Sequence, residues 1–136
     1  MTARMTTASS LDAAKEALER YLDVRVDDDG ALSFRHAEVA GALQAVELAE
    51  GLVMLSLTCV VAWDLPADSD MCERVALRAG HGLFGTLGAV RTEHGIDVTL
   101  RYAFPAAGLA VEPLGTLLML VISTASQLRG ELLVQA

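Results

Sequence analysis

The chain has 136 residues, enough for one domain with its own core and too few for two. Its 18 acidic against 10 basic residues leave a formal charge of −8. That argues against nucleic acid and anionic membrane as main partners, since both require concentrated positive charge. With 53% hydrophobic and 21% charged residues it is too apolar for a disordered chain.

Residues 1–8 read as a loose tail and 9–136 as a single domain. The N-terminus lacks the apolar stretch of a secretion signal, and the longest apolar run, Leu117 to Ile122, is far too short to span a membrane. Only two cysteines occur, Cys59 and Cys72, so a disulfide scaffold is not expected. A cytoplasmic protein with reduced, buried thiols is expected.

Ser9 or Ser10 is placed to cap a first helix, in which Leu11, Ala14, Leu18 and Leu22 recur at helical spacing. The period then changes to two. Val24 and Val26 alternate with acidic and basic neighbours, Asp29-Gly30 signals a tight hairpin turn, and Leu32, Phe34 and His36 form the return strand. Gly41 reads as a break and residues 42–48 as a further strand. Leu52 to Trp63 is the strongest strand. It places Leu55, Leu57, Cys59, Val61 and Trp63 on one face and Met54, Ser56, Thr58, Val60 and Ala62 on the other.

Leu65-Pro66 ends that strand. Asp68 or Ser69 caps a second helix, with Asp70 and Glu73 in its first turn, where the helix dipole favours negative charge. Met71, Val75, Ala79 and Cys72 are expected to face inward, and Gly80 and Gly82 to stop the helix. Residues 86–91 and 96–104 form a hairpin around Glu93-His94-Gly95. Pro113 sits in the first turn of a last helix whose apolar face runs from Leu114 to Leu132. Helix, strands, helix, two strands, helix, joined by short turns, predicts an α+β fold: an antiparallel sheet with helices mainly on one side.

Residues Gly80-His81-Gly82-Leu83-Phe84-Gly85 spell G-x-G-x-x-G. A dinucleotide site needs those glycines after a strand and at a helix N-terminus, where N–H groups meet the pyrophosphate. Here a helix precedes and a strand follows, so a helix stop and a tight turn account for them. His36, His81 and His94 lack ligand spacing. The run Asp27-Asp28-Asp29-Gly30 lacks the alternation of a calcium loop and suits an acidic turn. No catalytic residue, metal ligand or cofactor site is therefore assigned.

Several segments together resemble the YbjN family and its relatives in fold, the type III secretion chaperones. They are Asp28-Asp29-Gly30 with Leu32 and Phe34; Gly51 with Leu55-Ser56-Leu57; Trp63-Asp64-Leu65-Pro66 before an acidic helix start; Phe84-Gly85; and Ile96 to Pro105 with Tyr102, Phe104 and Leu109. The resemblance spans about residues 10–133. It implies a compact, often dimeric α+β domain with a proposed role in binding peptide segments. Some members carry the label of sensory transduction regulators, with no settled mechanism, and the family has no catalytic set to carry over. The chain departs from the family at the end of the second helix. Many members have asparagines there, and this chain has Ala79-Gly80-His81-Gly82 and no asparagine at all.

The residues thus point to a non-enzymatic module that binds a protein or peptide segment and pairs as a homodimer. Met54, Ser56, Thr58 and Val60 form an uncharged strand face, and Arg101 is expected on the same side, able to pair with a carboxylate or a peptide carbonyl; these five are the candidate contact for a partner or for the second copy of a dimer. The rival reading is a ligand-binding regulator or an enzyme with a pocket between helices and sheet.

Overall fold

The computed structural model describes residues 5–81 and 84–134. In chain order the elements are α1 (Thr7–Glu19), β1 (Arg25–Val26), β2 (Leu32–His36), β3 (Val39–Ala49), β4 (Leu52–Leu65), α2 (Ser69–Ala79), β5 (Thr86–Thr92), β6 (Gly95–Pro105) and α3 (Val111–Leu133). The strands form one antiparallel sheet in the order β1-β2-β3-β4-β6-β5. The helices pack on one face of it, as the α+β reading expects. The core lies between the layers, where Leu55, Leu57, Cys59 and Leu100 of the sheet meet Leu18, Leu118 and Ile122 of the helices.

α1 begins earlier than the sequence suggests. Thr6, not Ser9 or Ser10, is its N-cap, so residues 5–8 are not a loose tail. Thr6 Oγ1 accepts from the Ser9 N–H (3.0 Å), and Ser9 Oγ accepts from the Thr6 N–H (2.9 Å). This is a capping box with serine at its third position in place of the usual Glu or Gln. Ser10 turns inward and donates to the Thr6 carbonyl (2.7 Å), which satisfies a hydroxyl that is otherwise buried.

The first hairpin closes through a looser turn than a two-residue one. The Asp27 N–H donates to the Ala31 carbonyl and the Gly30 N–H to the Asp27 carbonyl, with Gly30 left-handed at φ +88°. The tight two-residue turn comes next, at Ala37-Glu38, both with positive φ (48° and 71°). Neither residue advertises that geometry.

Gly41 does not break the chain. It lies inside β3, paired with both Phe34 and Cys59, and the Phe34 ring occupies the space a Cβ would need. β3 therefore runs from Val39 rather than from residue 42.

β4 alternates as expected up to Val60, and there a bulge interrupts it. Val60 pairs with Thr99 and Ala62 with Val98, and a second irregularity precedes Leu65. The extra residue resets the pleat. Ala62, expected on the outer face, is fully buried, whereas Trp63, expected in the core, is 43% exposed. The Arg129 guanidinium lies over the Trp63 ring, 4.7 Å from its centre, and donates to the Val61 carbonyl (3.1 Å).

Asp68 caps α2 by accepting from the Met71 N–H (2.8 Å). Only Met71 and Val75 of this helix are buried; Cys72 and Ala79, expected to face inward, are exposed. α2 is short and stands over the β5 side of the sheet, so it buries a single narrow stripe. Arg74 ties the end of α3 to it, donating to the carbonyls of Glu131 and Val134 (both 3.0 Å). A cation suits those free carbonyls at a helix C-terminus. α3 is long and apolar enough to cross a membrane by length and composition, yet Leu114, Leu118, Val121 and Ile122 are built into the core.

Candidate functional site

Among the described residues no element lies over the sheet face turned away from the helices. Antiparallel register places its residues in rows across the strands. Val46, Met54 and Pro105 form one row and Gln44, Ser56 and Ala103 the next. The third crosses all six strands: Arg25, Ser33, Ala42, Thr58, Arg101 and Thr86. The fourth is Arg35, Ala40, Val60, Thr99 and Gly88.

All five residues singled out from the sequence, Met54, Ser56, Thr58, Val60 and Arg101, thus share one face. Met54, Ser56, Thr58 and Val60 are half-buried between neighbouring strands, and Arg101 is exposed. Small side chains at Ala40, Ala42, Gly88 and Ala103 keep the surface low, so a partner could approach the backbone closely.

Sequence reading missed Arg25, Arg35, Val46 and Leu52. Arg35 was within reach, because it alternates with Phe34 and so points opposite to a core residue. Val46 was obscured by the break assigned to Gly41, which removed the register that links β3 to β4. Leu52 precedes Met54 by one pleat and is 43% exposed, and Val46 is 45% exposed. The rim of the face at the β3–β4 turn is therefore apolar.

The sheet also has unpaired edges. β5 is one of them. β2 pairs with β3 only through Leu43, so the backbone of residues 44–49 has a ladder neighbour on the β4 side alone.

On the helix side, a cavity of about 340 Å³ opens between α2, α3 and β5. Leu87, Leu100 and Leu128 line its floor and Arg78, His81 and Glu131 its mouth. Arg78 Nε and Glu131 Oε2 are 3.1 Å apart, so the two charges at the mouth satisfy each other.

The glycine-rich segment follows α2 and precedes β5, the reverse of a dinucleotide-binding order. Its Gly82 and Leu83 lie outside the described residues. Among the described residues no three His, Cys, Asp or Glu side chains gather as a metal site. Both thiols are free. Burial pushes the Cys59 thiol up to about 12, while Cys72 lies in the open on α2.

No protein-family model matches the chain, and no curated protein sequence matches it. Among solved structures it is similar to a chain of the HopA1–SchA chaperone–effector complex. The TM-score is 0.59 at 18% identity, over 90% of this chain and 91% of that one. At that identity the likeness is one of fold alone.

Proposed function

We propose that the chain is a non-enzymatic, cytoplasmic binding module that holds a segment of another protein on the open face of its sheet, in the manner expected of a YbjN-type or secretion-chaperone-type domain. The observation that carries this reading is the uncovered face itself. It is six strands wide, with Met54, Ser56, Thr58 and Val60 along its central strand and, among the described residues, no helix over it. A low surface of this extent, uncharged along its central strand, suits a protein contact better than bulk water. The shared fold with a chaperone–effector structure supports the same reading. The rival cavity beside α2 fits a ligand site less well, because its charged groups are already paired.

The test is a pair of substitutions on opposite faces of one strand. Val60→Asp sits on the open face and should leave the fold intact while reducing capture of the native partner at least tenfold, because it puts a charge into the contact. Leu57→Asp sits in the core and should unfold the domain. A folded Val60→Asp protein that captures the partner as the wild type does would overturn the proposal. We propose in addition that the protein pairs with itself through another surface, the outer side of α3.

A further inference from the structure

The charge pattern of the open face specifies the chemistry of its occupant. Five arginines among the described residues have no internal hydrogen bond or ion pair: Arg20, Arg25, Arg35, Arg91 and Arg101. Three of them, Arg25, Arg35 and Arg101, stand on this one face, and all three are exposed. Of the arginines in the helix layer, Arg74 and Arg129 donate to backbone carbonyls, Arg78 pairs with Glu131, and Arg20 at the end of α1 has no such partner.

Two aspartates on the open side are also engaged. Asp27 accepts from the Ser33 hydroxyl (3.0 Å) and Asp97 from the Asp64 N–H (3.0 Å). A third, Asp23, lies with Arg25 and Arg35 around a shallow hollow at the β1–β2 end. Beside the amide of Gln44 and the carboxylate of Asp23, the three guanidiniums are thus the cations of this face with bonding capacity left over, on a chain whose total charge is −8.

The face is also graded along the strands. At the β3–β4 turn it is apolar, with Val46, Leu52 and Met54. Four residues along β4, or about 13 Å at strand rise, comes the row that holds Arg25 and Arg101. Four strand spacings, about 19 Å, separate those two arginines, with Ser33, Ala42 and Thr58 between them.

We infer that the occupant is an acidic, amphipathic segment of a partner protein, apolar at one end and bearing carboxylates further along that meet Arg25, Arg35 and Arg101. This rests on the sheet-face reading above and adds the chemical class of the partner. Guanidinium forks match carboxylates two bonds at a time, which gives such a segment a fixed direction on the sheet. A nucleic acid fits less well, because three arginines are few for a phosphate backbone and the described rows offer no aromatic ring for base stacking.

Two fluorescein-labelled peptides of 16 residues provide the test, both with a Leu- and Met-rich half followed by a half bearing four Glu in one and four Lys in the other. Fluorescence anisotropy with the full chain in low salt should show the Glu peptide binding at least tenfold tighter, although overall charge alone favours the Lys peptide. Charge reversal at Arg25→Glu, Arg35→Glu and Arg101→Glu together, with circular dichroism unchanged, should invert that preference. Tighter binding of the Lys peptide, binding of neither, or a preference untouched by the triple reversal would overturn the inference. So would tighter binding of a single-stranded oligonucleotide, or a triple variant whose only change is in oligomeric state, which would make a second copy the occupant. If the Lys peptide binds and Val60→Asp abolishes that binding, the face remains the contact and only the acidic partner falls. If the Glu peptide binds Val60→Asp as tightly as wild type, the face itself is misassigned.

Discussion

Cys59 and Cys72 have the same chemistry and opposite surroundings. Cys59 is fully buried on β4 beneath the helices, and loss of hydration raises its thiol from 9.0 to about 12. Between those values the folded chain keeps a proton that the unfolded chain loses. The associated stability is therefore complete below pH 9 and drains away as pH climbs toward 12. The loss is up to about 1.4 kcal/mol per pH unit in that window. Urea unfolding should show a decline above pH 9 that is shallower in Cys59→Ala. Equal slopes would mean that the thiol titrates normally. Alkylation of the native protein by iodoacetamide at pH 8 should mark Cys72 alone, with Cys59 reacting only in denaturant. The sequence shows why one of these two was misread. Cys59 lies in a strand of period two among Leu55, Leu57 and Val61, so its inward direction is legible. Cys72 follows a buried Met71 on a helix whose outer boundary depends on how much of the sheet edge lies beneath it, and no local pattern records that.

Elements were most legible where one periodicity runs without interruption. α3 and β6 follow from alternation and helical spacing alone. β3 did not, for two reasons that lie in its neighbours. The Ala37-Glu38 turn uses left-handed backbone at two residues that have Cβ atoms, so it lacks the usual Asn-Gly signature. Gly41 looks like punctuation but is a packing device, its missing side chain making room for the Phe34 ring on the adjacent strand. Gly41→Ala should therefore cost about 1–3 kcal/mol by overpacking, read as a lower urea midpoint with an unchanged slope. Adding Phe34→Leu to Gly41→Ala should recover part of that loss, since the two positions share one space. Purely additive effects would mean that the ring does not depend on the glycine. The bulge after Val60 is the third illegible feature. It exchanges the environments of Ala62 and Trp63, and only the pairing of β4 with β6 reveals it.

At the scale of the whole molecule, the charge of −8 sets the terms of self-association. Two copies repel at long range and can meet only where little charge is brought together. The outer side of α3 meets that condition, because residues 113–128 contain no Asp, Glu, Lys or Arg. Leu120 projects from it, 43% exposed, between a hollow of about 410 Å³ lined by Pro113, Thr116 and Leu117 with Glu112 at its end, and another of about 200 Å³ beside Tyr21, Met119 and Ser123. Across a two-fold axis, each Leu120 would seat in a hollow of the other copy, the self-complementary arrangement that a symmetric pair requires. In that arrangement the sheet face, with its free arginines, would be left for the partner. Sedimentation equilibrium should then report a dimer that tightens as salt rises from 0.05 to 0.5 M (about 14 to 4 Å in Debye length), because screening weakens the repulsion while the contact itself is apolar. Leu120→Asp should shift the protein to monomer with its circular dichroism unchanged, and Val60→Asp should leave the dimer as it is. A monomer at every concentration up to the millimolar range would remove the idea of self-pairing. A dimer lost in Val60→Asp and kept in Leu120→Asp would move the pairing to the sheet and leave α3 without a role in it.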